Sequence, residues 1–174
     1  MYYRIKSDSE NYANLLPTNN SIELGETFDG RSHIENWKGL HFDLTLKDDT
    51  RPIPEISIDY IPICSRRVYE AIKEICCGFV EFLPCTVGEE NLEYYVFNVL
   101  GRQDLIDYER SRYQRFVSSG RIMFFNKIVF KEEIKNPLFG ISDLPYAFLF
   151  CTEEFKALLE GIDVKGVMFS KELF

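Results

Sequence analysis

Two strand-like runs on either side of a four-residue turn constrain the fold of this 174-residue chain most strongly. Residues 79–87 and 94–100 are rich in Phe, Tyr and Val, which suit the pleated, half-buried surface of a sheet. Gly88, Glu89, Glu90 and Asn91 lie between the runs and form a turn-like segment. The pattern therefore predicts a β-hairpin built from two long antiparallel strands.

Other elements follow from alternation and from helix caps. Residues 40–46 and 56–60 alternate apolar and polar side chains at a period of two, which is typical of strands. Ser65 and Thr152 are good N-caps for two helices. The apolar stripe of the first helix is Val68, Ile72, Ile75 and Cys76, and Gly78 ends that helix. The apolar stripe of the second helix is Phe155, Leu158, Leu159 and Ile162. Further strands are predicted at residues 122–131, 138–141, 146–151 and 167–169, and long loops over residues 7–36.

Strands in runs with two or three helices indicate an α+β fold with a mostly antiparallel sheet. The length suits a single compact domain, so we expect residues 1–62, a strand-and-loop segment, to continue into an α+β core over residues 63–174. Aromatic residues make up 15% of the chain, so the core must be rich in them. We expect it to include Phe79, Phe82, Phe124, Phe148 and Phe155.

Composition excludes several classes of protein. The net charge of −8 disfavours general nucleic-acid binding, because phosphate backbones are repelled. The longest stretch without charged residues has only 12 residues, so no membrane-spanning helix is predicted. The N-terminus shows no apolar signal region, which favours the cytoplasm. The chain has five cysteines, an odd number, and none is spaced as in a paired metal-ligand motif. We therefore expect buried reduced thiols rather than a disulfide framework or a zinc ion bound by Cys64, Cys76 and Cys85. No metal or other cofactor is expected.

Catalytic motifs are scarce, and we assign no catalytic residue. His33 and His41 are the only histidines, and no nucleophile elbow or phosphate-binding loop occurs. Asp104 and Asp107, or Glu89 and Glu90, could act as acid and base if their surroundings separated their pKa values. Asp104 and Asp107 are instead expected to cap turns or pair with nearby arginines, and an enzyme that uses them is kept only as an alternative.

Arginines and tyrosines are interleaved in residues 102–121. Arg102, Arg110, Arg112, Arg115 and Arg121 share this segment with Tyr108 and Tyr113, a combination found in RNA-binding surfaces. Three acidic residues reduce its net charge to +2, so a solvated charged face is the favoured interpretation. A small RNA-binding module remains a second alternative.

The order of motifs from residue 61 onward resembles the bacterial immunity protein 11 family, formerly a domain of unknown function. The matching pieces are residues 64–68, 80–84, 94–99, 104–107, 138–141, 148–156 and 165–169. The last three pieces are the most specific. Gly140 is a departure, because the family usually carries an Arg directly after the apolar pair that is Leu138 and Phe139 in this chain.

The resemblance implies a non-catalytic immunity protein of polymorphic toxin or type VI secretion systems. Such a protein binds a cognate toxin and occludes it, without a cofactor. An acidic chain would suit a toxin with a basic surface. The predicted contacts are acids that cluster at two turns: Asp48, Asp49, Glu89, Glu90 and Glu93. The alternative surface comprises Arg102, Asp104, Asp107, Arg110, Arg112 and Arg115. Oligomeric state and the identity of the toxin are not predicted.

Overall fold

Two β-sheets and a separate hairpin form the framework of the protein. The computed structural model describes residues 1–18, 28, 30–102, 104–131, 133–144, 148–171 and 173. The strands are β1 Tyr2–Ser7, β2 Leu15–Pro17, β3 Leu40–Leu44, β4 Ile56–Ser57, β5 Ile63–Ser65, β6 Val80–Val87, β7 Leu92–Val99, β8 Arg112–Arg115, β9 Ile122–Lys127, β10 Leu138–Gly140, β11 Leu149–Thr152 and β12 Val167–Ser170. A 3₁₀ helix spans Ile34–Asn36, and the α-helices are α1 Arg66–Ile72 and α2 Glu153–Gly161. The fold is an α+β arrangement in which sheet dominates.

The larger sheet has six strands in the order β2-β3-β6-β7-β5-β4. Its centre is the β6–β7 hairpin, paired from Val80 and Val99 to Val87 and Leu92, which confirms the predicted hairpin. In the turn, Gly88 and Asn91 adopt positive φ angles of 70° and 52°. Glycine and asparagine tolerate this left-handed backbone best, so the turn sequence matches its geometry. The β3–β6 pair is parallel, and the other pairs of this sheet are antiparallel.

The smaller sheet has four antiparallel strands in the order β10-β11-β1-β12. Strand β1, which was not among the strands predicted from the sequence, lies inside this sheet between β11 and β12. Tyr3 and Ile5 point from one face of β1 into the protein interior. Strands β1 to β4 all precede residue 63. Strand β1 belongs to the four-stranded sheet, and β2, β3 and β4 belong to the six-stranded sheet.

Three apolar cores follow from this layering. The central core lies between the two sheets, where α1 and α2 add Val68, Ile72, Phe155 and Leu159. A second core covers the opposite face of the six-stranded sheet and includes Leu15, Phe42, Leu83 and Val96. The third core lies on the outer face of the four-stranded sheet, where residues of the 105–141 segment pack on Phe139 and Phe150.

Both predicted helix caps are present. Ser65 Oγ accepts a hydrogen bond from the Val68 N–H at 3.4 Å, and Thr152 Oγ1 accepts one from the Phe155 N–H at 3.4 Å. Helix α1 ends earlier than the apolar stripe suggests, and turns lead from there to Gly78. Ile75 is consequently 37% exposed and does not belong to the core.

Several strand predictions need correction. Strand β4 is limited to Ile56–Ser57, because Asp59 and Tyr60 turn out to solvent. Strand β9 ends at Lys127, and Phe124 is 42% exposed whereas Phe125 is buried. Of the other predicted core phenylalanines, Phe155 is buried, and Phe79, Phe82 and Phe148 are partly buried against the cores.

Two points remain: one strand that was not predicted from the sequence, and two predictions that concern residues the structure does not describe. Strand β8 arises in the arginine segment, where charge hides the strand pattern. The predicted start of a strand at residue 146 and part of the predicted loop, residues 19–27, lie outside the described residues.

Candidate functional site

A buried carboxylate on the six-stranded sheet fastens the N-terminal segment. Glu81 accepts hydrogen bonds from Ser32 Oγ at 2.5 Å and from the backbone N–H groups of His33 at 2.9 Å and Ile34 at 3.3 Å. Asn98, its partner in register on β7, donates to Glu81 at 3.3 Å and to the Arg31 carbonyl at 2.7 Å. This network explains why Asn98 is buried.

Solvation and hydrogen bonding oppose each other at Glu81. Burial raises its pKa, but donors from Ser32, His33, Asn98 and Ile34 together outweigh burial and hold the pKa below the ordinary value of 4.5. A carboxylate held ionised by so many donors is suited to locking a segment in place. It is poorly suited to accepting a proton during catalysis.

His41 lies on the polar side of β3, as the alternation predicts. Its Nδ1 is 2.8 Å from Thr86 Oγ1, and its Nε2 is 3.2 Å from Asp43 Oδ1. The order hydroxyl, imidazole and carboxylate resembles a catalytic triad. His41 and Asp43 are both open to solvent, and none of these residues lines the clefts described below. The contacts link β3 to β6 across the sheet.

Four of the five cysteines are buried thiols. Burial raises the pKa of Cys76, Cys85 and Cys151 to about 12 in each case, which suppresses the reactive thiolate. Cys64 is also buried, and Cys77 is exposed. Within the described residues, no group of three or more Cys, His, Asp or Glu side chains is placed to hold a metal ion.

The two aspartates considered for acid–base chemistry have separate cationic partners. Asp104 is 2.7 Å from Lys131 Nζ, and its side chain is 63% exposed. Asp107 accepts hydrogen bonds from the Glu109 and Arg110 N–H groups at 3.1 Å and lies 3.8 Å from the Arg110 guanidinium. One aspartate forms a surface ion pair and the other caps a turn. No observation favours the enzyme alternative that uses them.

Arg102 is a packing residue rather than part of an open basic surface. Its Nη1 donates to the Leu144 carbonyl at 3.0 Å. A Cβ atom on Gly140 would lie 2.6 Å from Arg102 Nε, so glycine at this position makes room for the arginine. Residue 140 is thus a site where an arginine from another segment occupies the space beside the backbone.

Both acidic turns lie at one end of the six-stranded sheet. Strands β3 and β6 are parallel, with Phe42 opposite Val87, so they end together. The Gly88 N–H donates to the Phe42 carbonyl at 2.8 Å. The turn after β3 carries Asp48 and Asp49, and the β6–β7 turn carries Glu89 and Glu90. We call this region the acidic end.

Two of the predicted contact acids are neutralised within the protein. Asp49 accepts from Arg51 Nε at 2.9 Å and from Nη2 at 2.6 Å, and its side chain is only 5% exposed. Glu93 lies 2.9 Å from Arg66 Nη1 and accepts a hydrogen bond from the Tyr95 hydroxyl at 2.5 Å. The Tyr95 bond and the Arg66 charge lower the pKa of Glu93, so this acid is ionised and paired.

The other acids at this end are free to meet a partner. The side chains of Asp48, Glu89 and Glu90 are exposed and make no ion pair or hydrogen bond within the described part of the chain. Leu46 and Leu92 lie in the same turn regions and are also exposed. The acidic end therefore combines unpaired carboxylates with apolar side chains.

Opposite charge is concentrated on the β8–β9 hairpin. Residues 109–127 contain Arg110, Arg112, Arg115, Arg121 and Lys127 against Glu109 alone, a net charge of +4 in a chain of net charge −8. The window 102–121 that the sequence pattern defines begins earlier, includes Asp104 and Asp107 and omits Lys127, so its net charge is only +2. Two clefts adjoin the hairpin, one of about 580 Å³ and one of about 380 Å³. Periodicity alone gives no signal for them.

Exposed charged surfaces suited to binding are therefore the prominent features of this molecule. A model of the Immunity protein family (Imm11) matches residues 9–172. The chain belongs to this family, which confirms the resemblance and extends it from residue 61 back to residue 9. No curated protein matches the chain. Among the described residues, no helix is long and apolar enough to cross a membrane.

Proposed function

We propose that this protein is an immunity protein that binds a cognate toxin and occludes it, so that the producing cell is protected. Membership of the Imm11 family over residues 9–172 carries this proposal. We assign the toxin to a polymorphic or type VI secretion system. The immunity protein acts in the cytoplasm without a cofactor and without catalysing a reaction, since binding alone is enough to cover a toxin surface.

The acidic end is the proposed toxin-contact surface. Asp48, Glu89 and Glu90 are unpaired, so their charge is available to a basic partner. Leu46 and Leu92 supply the apolar contact that a stable interface needs at its centre. Asp49 and Glu93 belong to the same surface, but their arginine partners must be displaced or shared before either carboxylate can contact the toxin.

Charge at this surface should act mainly on the rate of association. Complementary potentials steer two proteins together and can raise association rates far above the neutral range of about 10⁵ to 10⁶ M⁻¹s⁻¹. Salt weakens this steering, because the screening length falls to about 8 Å at physiological ionic strength. A toxin guided by the acidic end should therefore bind more slowly as salt is added.

Charge reversal tests the proposal with the toxin encoded beside this chain's gene. The triple variant Asp48→Lys, Glu89→Lys and Glu90→Lys should associate about tenfold more slowly at low salt, with a flatter salt dependence. The variant Glu35→Lys, Glu74→Lys and Glu154→Lys makes the same charge change on other exposed acids and serves as the matched control. Equal association rates for the two variants would mean that the toxin contacts a different surface. Failure of the unaltered protein to bind or inhibit the toxin would overturn the proposed function.

A further inference from the structure

The β8–β9 hairpin is a basic and apolar projection that the proposed function does not use. Within the described residues, β8 and β9 pair only with each other. Val117 at the turn is fully exposed, and Phe116, Met123 and Phe124 are also exposed. Exposed apolar residues gathered at one place, rather than scattered singly, indicate a binding surface.

The 380 Å³ cleft runs along an edge of β9. Ile122, Met123, Phe124 and Phe125 all line it. Side chains of a strand alternate between two faces, so four consecutive residues can line one cavity only where the cavity follows the strand edge. Phe148 forms part of another wall, with the Arg4 guanidinium 3.7 Å from its ring centre.

The cleft lies along the edge of β9 that β8 does not cover, since β8 is the one strand paired with β9 within the described residues. The Val129 N–H donates to Ser111 Oγ at 2.9 Å, on the side of β8. Ile128 and Val129 follow directly after β9, and the Ile128 N–H makes a different contact. It donates to the Leu173 carbonyl at 2.6 Å, and Leu173 also lines the cleft. The segment just after β9 thus already pairs with one residue that lines the cleft.

The adjoining 580 Å³ cleft supplies cations. It shares Ile122, Asp143 and Leu144 with the first cleft and is also lined by Arg115 and Arg121. The Arg115 guanidinium lies 4.9 Å from the Tyr113 ring centre. It also donates a 2.7 Å hydrogen bond to the Gly120 carbonyl, and the two contacts fix its orientation. The Arg121 guanidinium makes no ion pair or hydrogen bond in the described residues. Both arginines line this cleft together with Asp143, whose carboxylate accepts a hydrogen bond from the Tyr108 hydroxyl, so an entering carboxylate would meet two cations and one acid.

We propose that an extended acidic segment of a partner protein adds to the free edge of β9 as a further strand. Its apolar side chains enter the 380 Å³ cleft, and a carboxylate reaches Arg121 and Arg115. The strand edge favours a polypeptide, because main-chain hydrogen bonds supply affinity in this mode of recognition. The positive hairpin in an otherwise acidic chain sets the charge of the segment. This surface is distinct from the acidic end.

A synthetic peptide tests the proposal on the intact protein. The probe is a fluorescein-labelled hexapeptide with blocked ends that alternates Glu with Val and Phe. We expect saturable binding by fluorescence anisotropy with a Kd tighter than about 1 mM. Arg121→Gln should weaken binding about tenfold through loss of a charge-assisted hydrogen bond. Arg112→Gln removes the same charge from the same hairpin but lines neither cleft, so its effect should stay within about twofold.

Further peptides separate strand addition from general attraction. A peptide N-methylated on every residue has no N–H to donate to the edge and should bind at least about tenfold more weakly. A peptide with Lys in place of Glu should not bind. The proposal is overturned if no probe binds, if either control peptide binds as well as the probe, or if the two arginine variants behave alike. Stronger binding of a single-stranded oligonucleotide, or self-association that blocks the probe, would also overturn it.

Discussion

Gly140 and Arg102 form a close contact whose energetic coupling can be measured. A Cβ atom added at residue 140 would lie 2.6 Å from Arg102 Nε, and Gly140 is buried in β10. Gly140→Ala should therefore destabilise the protein by about 1–3 kcal/mol through overpacking. The cost should be smaller in the Arg102→Ala background, as a double-mutant cycle in urea would show. Gly161→Ala, with no atom near the added methyl, is the control and should cost nothing. Additive costs at positions 140 and 102 would contradict the contact.

Glu81 should make stability depend on pH in the acid range. Its pKa is lowered in the folded state, so its contribution is complete above the ordinary value of 4.5 and is lost as pH falls through the folded value. Glu81→Gln should unfold more easily at pH 7 and show a shallower loss of stability below pH 4.5. Urea melts from pH 3 to pH 8 measure this, and Glu74→Gln on the surface is the control. If the free energy of unfolding changes with pH in the same way in both variants, Glu81 is not responsible for the loss of stability in acid.

Single residues show where sequence reasoning reaches its limit. Asp49 and Arg51 are only two positions apart, so their ion pair could be predicted from the sequence. Arg66 and Glu93 are 27 residues apart, and only the pairing of β5 with β7 brings their neighbourhoods together. Whether an acid is free to bind a partner thus depends on tertiary neighbours. The clustered turns could be predicted, but the division into paired and unpaired acids could not.

Helix α2 and strand β9 allow a test of element placement with one kind of substitution. Phe155 on α2 is 2% exposed, whereas Phe124 on β9 is 42% exposed. Phe155→Ala should cost about 3–5 kcal/mol, because it leaves a cavity in the central core. Phe124→Ala should cost less than about 1 kcal/mol. Thermal melts compare the two variants directly. Similar melting temperatures would mean that the described register of β9 or of α2 is wrong.

Elements with local signals could be predicted, and those stabilised by distant partners could not. The β6–β7 hairpin has its turn residues between its strands, and both helices have their caps beside their stripes. Strand β1 has six residues, but its alternation of Tyr3 and Ile5 with Arg4 and Lys6 is followed by a polar segment that gives no turn or cap signal. Its partners β11 and β12 lie about 150 residues further along the chain. No local window contains that information.

At the scale of the molecule, charge is divided between two surfaces. The hairpin region carries +4, which leaves −12 on the rest of a chain of net charge −8. A basic partner would be attracted to the acidic end and repelled by the hairpin, and an acidic partner would be attracted to the hairpin and repelled by the acidic end. A basic toxin at the acidic end and an acidic segment at β9 are therefore compatible with simultaneous binding, provided that their bulk does not overlap.

We propose that the chain folds as one continuous domain rather than as separable parts divided at residue 62. Strand β1 separates β11 from β12, so a fragment of residues 63–174 would lose the connection within the four-stranded sheet. We expect this fragment to lack a cooperative thermal transition and dispersed amide resonances. Adding residues 1–62 as a separate chain should restore both, which distinguishes missing contacts from general damage. A fragment of residues 63–174 that melts cooperatively on its own would establish an independent domain and overturn this proposal.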